Sequence, residues 1–304
     1  MTYTVQRDFI GYGRTPPDPQ WPGGAKLALN IVINFEEGSE PSIGDGDPAT
    51  EQGVSDAQGM NRGVTGRDLA AEGMFEYGAR AGFWRLMRIL ANQGVAPTIF
   101  ACALALERNP PAAAAIREAG LDICCHGWRW ENHFHLTEEE ERARIARAVI
   151  SLKQTLGVMP DGWYCRYSPS ENTRRLVVEH GGFLYDSDSY ADDLPFWTQV
   201  GDTPHLVVPY SLTNNDGKFT STTGTADDWF GFIRDAFDML LSEGRAGQPK
   251  MMNIGLHMRM IGQPARAMAL VRLLDHIDRH RSEVWIAPRN AIARHWAAVH
   301  PAPK

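Results

Sequence analysis

Leu27-Ala28-Leu29-Asn30-Ile31-Val32-Ile33-Asn34-Phe35-Glu36-Glu37-Gly38 decides how this chain folds. A near-continuous apolar run, rich in β-branched residues, stops abruptly at two carboxylates and a glycine. The run is too short to span a membrane. It reads as a buried strand, parallel to its neighbours and covered on both faces. Its end admits two readings. Glu36-Glu37-Gly38 is either a solvated acidic turn or a pair of acids at the C-terminal end of a core strand, where α/β barrels keep their chemistry. The rest of the chain is read for partners to those acids.

Before the strand, residues 1–24 carry Gly11, Gly13, Pro16, Pro17, Pro19, Pro22, Gly23 and Gly24, which disfavour regular structure. They read as an extended arm that wraps its own domain or a neighbouring subunit. Residues 25–304 read as one domain. The opening residues lack the basic and then apolar regions of a signal peptide. No apolar stretch reaches the roughly 18 residues of a membrane span. A cytoplasmic location without a membrane partner is therefore expected. A net charge of -7, with no Lys/Arg-rich run, argues against a nucleic-acid partner. Cys102, Cys124, Cys125 and Cys165 lie in or beside strand-like segments and form no CxxC pair, so buried free thiols are expected.

After the strand, residues 38–72 form a long polar segment, of the kind that is functional or an interface element. Helical spacing covers 77–92, with Phe83, Leu86, Met87 and Leu90 on one face. Further strands are expected at 97–104, 121–125, 162–165, 183–185, 205–210, 251–256 and 284–286. Helices are expected at 110–119, with proline at its start and Gly120 past its end, and from Thr137, at capping-box spacing from Glu140, to 156. Others are expected at 172–180, closed by Gly181-Gly182, and at 227–243, 264–279 and 289–299. This alternation predicts an α/β fold, a barrel-like domain of parallel strands and covering helices.

Ionisable residues recur where those strands end: Glu36 and Glu37, His126, Arg166, Asp186 and Asp188, and His257. A lone histidine is more often structural than catalytic. Several such groups at the same end of successive strands are harder to reach by accident, because isolated buried charges are costly. They suggest hydrolysis of an acyl carbon–nitrogen or carbon–oxygen bond. A carboxylate takes a proton from water, a histidine protonates the departing nitrogen, and an arginine orients the carboxylate or binds an oxygen. Adjacent carboxylates also favour raising one pKa towards neutrality. No Gly-x-Ser-x-Gly elbow, P-loop or dinucleotide fingerprint is present, which argues against serine hydrolases, kinases and dehydrogenases.

In their order these strand ends resemble the polysaccharide deacetylase superfamily. Glu36-Glu37-Gly38 stands where the family has two aspartates and a glycine. His126-Gly127-Trp128-Arg129-Trp130 partly matches its His-x-x-x-His, and Arg166-Tyr167-Ser168-Pro169 loosely matches its Arg-x-Pro. The segment 186–197, ending in Trp197, stands for its Asp/Trp motif, and Ile254-Gly255-Leu256-His257 for its aliphatic–histidine ending. The resemblance implies a distorted (β/α)7-type barrel behind the N-terminal arm. In the metal-dependent members the second aspartate and both histidines hold a divalent ion. Here those positions are Glu37, His126 and Trp130, and indole offers no lone pair to a metal. His133 and His135 are the substitutes through which zinc is not excluded. No resident cofactor is otherwise expected.

Such substitutions resemble the metal-independent allantoinase branch, found in bacterial purine catabolism. So do Arg7-Asp8-Phe9-Ile10-Gly11-Tyr12-Gly13, Asn172-Thr173-Arg174-Arg175-Leu176 and Ile254-Gly255-Leu256-His257-Met258-Arg259-Met260-Ile261-Gly262. The resemblance implies a homotetramer that opens a hydantoin ring. It also implies Glu36 as general base and His257 as general acid. Glu37 and His126 would position substrate or water, and Arg166 would steady Glu36 or bind a carbonyl. Trp128, Trp130, Tyr167, Asp186 and Trp197 complete the expected substrate site. Cys165-Arg166-Tyr167-Ser168-Pro169-Ser170-Glu171 departs from the branch, whose residues there are smaller. A related cyclic imide, ureide or acyl amine is thus as open as allantoin. The alternative is a metal-dependent deacetylase of N-acetylated sugars or acyl amines.

Overall fold

The computed structural model describes residues 4–60, 63–220 and 224–303. β1 (Leu27–Phe35) is buried along its whole length. On one edge it pairs in parallel with β8 (Lys250–His257), from Leu27 opposite Lys250 to Asn34 opposite His257. On the other edge β9 (Val284–Ile286) takes Leu27–Leu29, and β2 (Thr98–Ala101) takes Val32–Phe35. β3 (Asp122–Cys125), β4 (Gly162–Trp163) and β5 (Tyr185–Asp186) continue the sheet in parallel. β7 (Thr203–Val207) comes after β5, and β6 (Phe196–Val200) closes that edge as the antiparallel member.

The strand order is β6-β7-β5-β4-β3-β2-β1-β8, with β9 also on β1. Among the described residues β6 and β8 do not pair, so the barrel is open between them. Loop backbone covers the gap: Gly255 N donates to Asn214 O and Met251 N to Asp193 O, each at 2.9 Å. The expected distorted barrel is what these residues build.

Around the sheet lie α1 (Leu69–Tyr77), α2 (Phe83–Asn92), α3 (Ala103–Glu107), α4 (Pro110–Glu118), α5 (Glu138–Leu156), α6 (Thr173–His180), α7 (Ala226–Arg245), α8 (Pro264–Asp278) and α9 (Arg289–Val299). Period-two alternation splits β1 between two apolar clusters. Leu27, Leu29, Ile31, Ile33 and Phe35 pack outward against helical residues such as Leu86 and Leu90. Ala28 and Val32 face inward with Phe100, Tyr164 and Tyr210. The same parity carries Asn34 and Glu36 inward and sends Glu37 outward.

Several local expectations need correction. The segment expected as one helix over 77–92 is the last residue of α1, a π-helical turn over Gly78–Gly82, and then α2. α1 begins inside the expected loop, because Asp68 caps it by accepting from Ala70 N and Ala71 N. β6 and α3 were not expected. The strand expected at 97–104 ends at Ala101 and turns into α3. The arm packs on its own chain: Trp21 is buried against Trp285 and Trp296 and donates to Lys250 O at 2.9 Å.

Candidate active site

At the C-terminal ends of β1, β3 and β8 a cavity of about 240 Å³ opens to solvent. Glu36, His126 and His257 line it together with Tyr164, Tyr210 and Trp130. The in-phase pairing of β1 with β8, and of β1 with β3 through β2, brings those three ionisable side chains together. His126 Nε2 lies 3.2 Å and His257 Nε2 3.4 Å from Glu36 Oε1. Oε2 of the same carboxylate accepts from Arg259 Nη2 at 2.7 Å.

Each of these groups is held from behind. Arg259 bridges the acids, donating also from Nη1 to Glu37 Oε1 at 3.1 Å, and its Nε donates to Val54 O at 2.8 Å. His257 Nδ1 donates to Asp216 Oδ1 at 2.6 Å, and the His257 and Ile261 amides donate to Asp216 Oδ2. His126 Nδ1 lies 2.9 Å from Tyr164 O, an atom that can only accept. Nδ1 therefore donates, and Nε2 turns a lone pair towards Glu36 unless a second proton lies between them.

The charges separate the two glutamates. Burial pushes Glu36 up, but the cations of His257 and Arg259 outweigh it and hold the carboxyl well below 4.5. Burial raises Glu37, and Arg259 offsets only part of that rise. Burial, with a smaller push from the adjacent Glu36 carboxylate, thus raises the outward acid, not the one in the cavity. Burial lowers His257, but Glu36 and Asp216 overcome it and raise the imidazole to about 9. At neutral pH it is a cation with Nε2–H facing the cavity.

The sequence-expected residues divide. Glu36, His126, His257, Trp130 and Tyr167 line the cavity. Glu37 lies behind it on Arg259. Arg166 does not reach Glu36: it pairs with Glu51 at 2.6 Å, donates to Trp130 O and lies 3.6 Å from the Trp130 ring centre. Arg259 holds the position expected of it. Asp186 is bound by Arg174 and His205 and stands outside the cavity. Trp128 packs under Arg147 on α5, and Trp197 donates to His300 O beside the arm. Sequence reading missed the roles of Arg259 and Asp216. The available signal was Met258-Arg259, just beyond the strand-end histidine. Tyr210 was also missed.

A divalent ion on Glu37, His126 and position 130 does not fit these residues. Trp130 supplies no lone pair, and Glu37 Oε1 already accepts from the Arg259 side chain and amide. The guanidinium occupies the cationic position between the acids. His133 does not repair the set: among the described residues its ligand atoms lie in no group of three or more His, Cys, Asp or Glu ligand atoms within 4.8 Å of one another. His135 is exposed beside Phe134.

Comparison with known proteins agrees with this geometry. The polysaccharide deacetylase family profile matches residues 67–185. A Schizosaccharomyces pombe protein carrying a polysaccharide deacetylase name is 37% identical, over 97% of this chain and 98% of its own length. Two solved structures each superpose with a TM-score of 0.92 at 44% identity, covering 98% of this chain and 99% of their own. One is a Pseudomonas aeruginosa protein described under the polysaccharide deacetylase name, the other the PuuE allantoinase. With its barrel, its strand-end residues and a relative matched along nearly its whole length, this chain belongs to the polysaccharide deacetylase family.

Proposed function

We propose that this chain hydrolyses the carbon–nitrogen bond of a small cyclic amide, allantoin or a related ureide or imide, with water as nucleophile. The observation that carries the reading is the cavity floor: the Glu36 carboxylate and the His257 imidazole face one space, and the Arg259 guanidinium bridges Glu36 and Glu37 from behind. Glu36 Oε1 and His126 Nε2 are two acceptors that converge on one point. A water donating to either is oriented for attack on the amide carbon. Glu36 alone is a weak base. A proton received there lies between Glu36 Oε1 and His126 Nε2, 3.2 Å apart, and both atoms can hold it.

As the carbon–oxygen bond forms, the carbonyl oxygen becomes negative. Tyr210 meets that charge. Its hydroxyl oxygen accepts from Asn34 Nδ2 and Asn215 Nδ2, at 3.4 and 3.0 Å, so both lone pairs are used and its own proton is free to donate. Burial pushes its pKa up to about 12, which keeps that proton in place. His257 Nε2–H then protonates the departing nitrogen, the carbon–nitrogen bond breaks, and the ring opens to a carboxylate. Asp216 keeps the imidazole oriented and stabilises its cation.

Family membership favours a second reading, deacetylation of an N-acylated amine or sugar. A panel of allantoin, hydantoin, succinimide and N-acetylglucosamine oligomers, assayed with chelator present, separates the two. Ring opening of at least one cyclic amide in chelator is expected. Turnover of acetylated sugars alone, or turnover that needs added zinc, would replace the first reading with the second.

A further inference from the structure

We propose that Asp238, His276 and His280 form a binding site for a divalent transition ion of the zinc class, at the end of the barrel opposite the cavity. Among the described residues they are the one group of three or more such side chains whose ligand atoms all lie within 4.8 Å of one another. Asp238 stands on α7, His276 in the last turn of α8, and His280 one turn further, in the bend after that helix. This bend lies at the N-terminal end of the strands: Glu283 O accepts from Lys26 N, one residue before β1. None of the three lines the cavity.

Geometry and chemistry both suit the ion. His276 Nε2 already lies 2.7 Å from Asp238 Oδ1, and the two imidazoles are 5.3 Å apart at 65°. Phe237 packs against both rings, at 5.7 and 5.9 Å, and limits their rotation. Three donors about 2.1 Å from a tetrahedral ion lie about 3.4 Å apart. The widest pair here, within 4.8 Å, closes by no more than about 1.4 Å, which side-chain adjustment at this partly exposed surface allows. Two imidazoles and a carboxylate are donors zinc takes, leaving a fourth position for water. The C-terminal end of α8 adds its negative dipole. Arg245 approaches His280 Nδ1 at 3.4 Å, but two bonds to Glu283, of 2.8 and 2.5 Å, balance its charge. Binding replaces the proton between His276 and Asp238, which leaves to solvent.

Metal content measured on this protein would then report a surface site and not the reaction. The test titrates zinc chloride into the chelator-stripped full chain, read by calorimetry and by thermal shift. One saturable zinc per chain and a raised Tm are expected. His276→Gln and His280→Gln should each weaken binding by at least about tenfold, and Asp238→Asn should weaken it too. Circular dichroism confirms that these surface variants are folded, and their hydrolytic rate should match wild type. Absence of saturable binding, or binding that survives both histidine substitutions, overturns the proposal.

Discussion

Glu36 and Glu37 are chemically identical neighbours with opposite situations, and strand parity separates them. Glu36 continues the inward side of Asn34 and stays ionised, while Glu37 turns outward onto Arg259. The pH profile tests that assignment. His257 is protonated below about 9, so kcat/KM should hold through neutral pH and fall as pH rises through about 9. A profile that stays level well above pH 9 would remove His257 as the acid. Tyr210→Phe removes the free hydroxyl proton but keeps the ring. It should lower kcat by about 10²–10³, the cost of one oxyanion donor, with KM moving far less. An unchanged kcat excludes Tyr210 from that role. Convergence of Glu36, His126 and His257 was legible in the sequence, because each ends an apolar run and parallel strands present their C-terminal ends together. Arg166 and Asp186 also end such runs, yet Glu51 from the long loop and Arg174 from α6 claim them. A strand end places a charge without saying which counter-charge meets it. Asp216 was illegible for the same reason, and Arg259 was marked only by its place just beyond His257, since their pairing exists only in three dimensions.

Among the elements, the π-helical turn between α1 and α2 packs directly on the backbone that follows β8. A Cβ on Gly82 would lie 2.0 Å from Met258 O, and one on Gly262 would lie 2.7 Å from Gly82 Cα. The turn therefore presses against the backbone just after His257, next to Arg259. Gly82→Ala must push the turn and that backbone apart. A loss of about 1–3 kcal/mol is expected, the usual cost of overpacking, measured by denaturant unfolding. A neutral substitution would mean that the contact is soft. Helices with end signals read correctly: Thr137 and Glu140 form the expected capping box, and α9 spans the expected residues. β6 was missed because it is antiparallel and only partly buried, so its apolar pattern is weak. α1 was missed because its cap, Asp68, closes a polar segment that reads as loop throughout.

Taken whole, the molecule is a barrel open between β6 and β8, with loop backbone across the gap and ionisable groups buried at the C-terminal ends of β1, β3 and β8. Buried ionisable groups link stability to pH. The folded-state pKa of His257, about 9, lies above its ordinary 6.5. Its contribution to stability is therefore fully present below about 6.5 and is lost as pH rises through 9. Tm should fall across that window, and His257→Gln should flatten the fall. No helix among the described residues is long and apolar enough to cross a membrane. The most direct test of the central claim is the rate of ring opening by Glu36→Gln and wild type, both in chelator, on the best cyclic amide of the panel. Wild type should keep its full rate, while Glu36→Gln loses at least about 10³-fold, near the upper range for a general base, with its circular dichroism unchanged. A folded Glu36→Gln that retains wild-type turnover, or a wild type silenced by chelator and restored by zinc, would contradict a water-activating glutamate backed by Arg259.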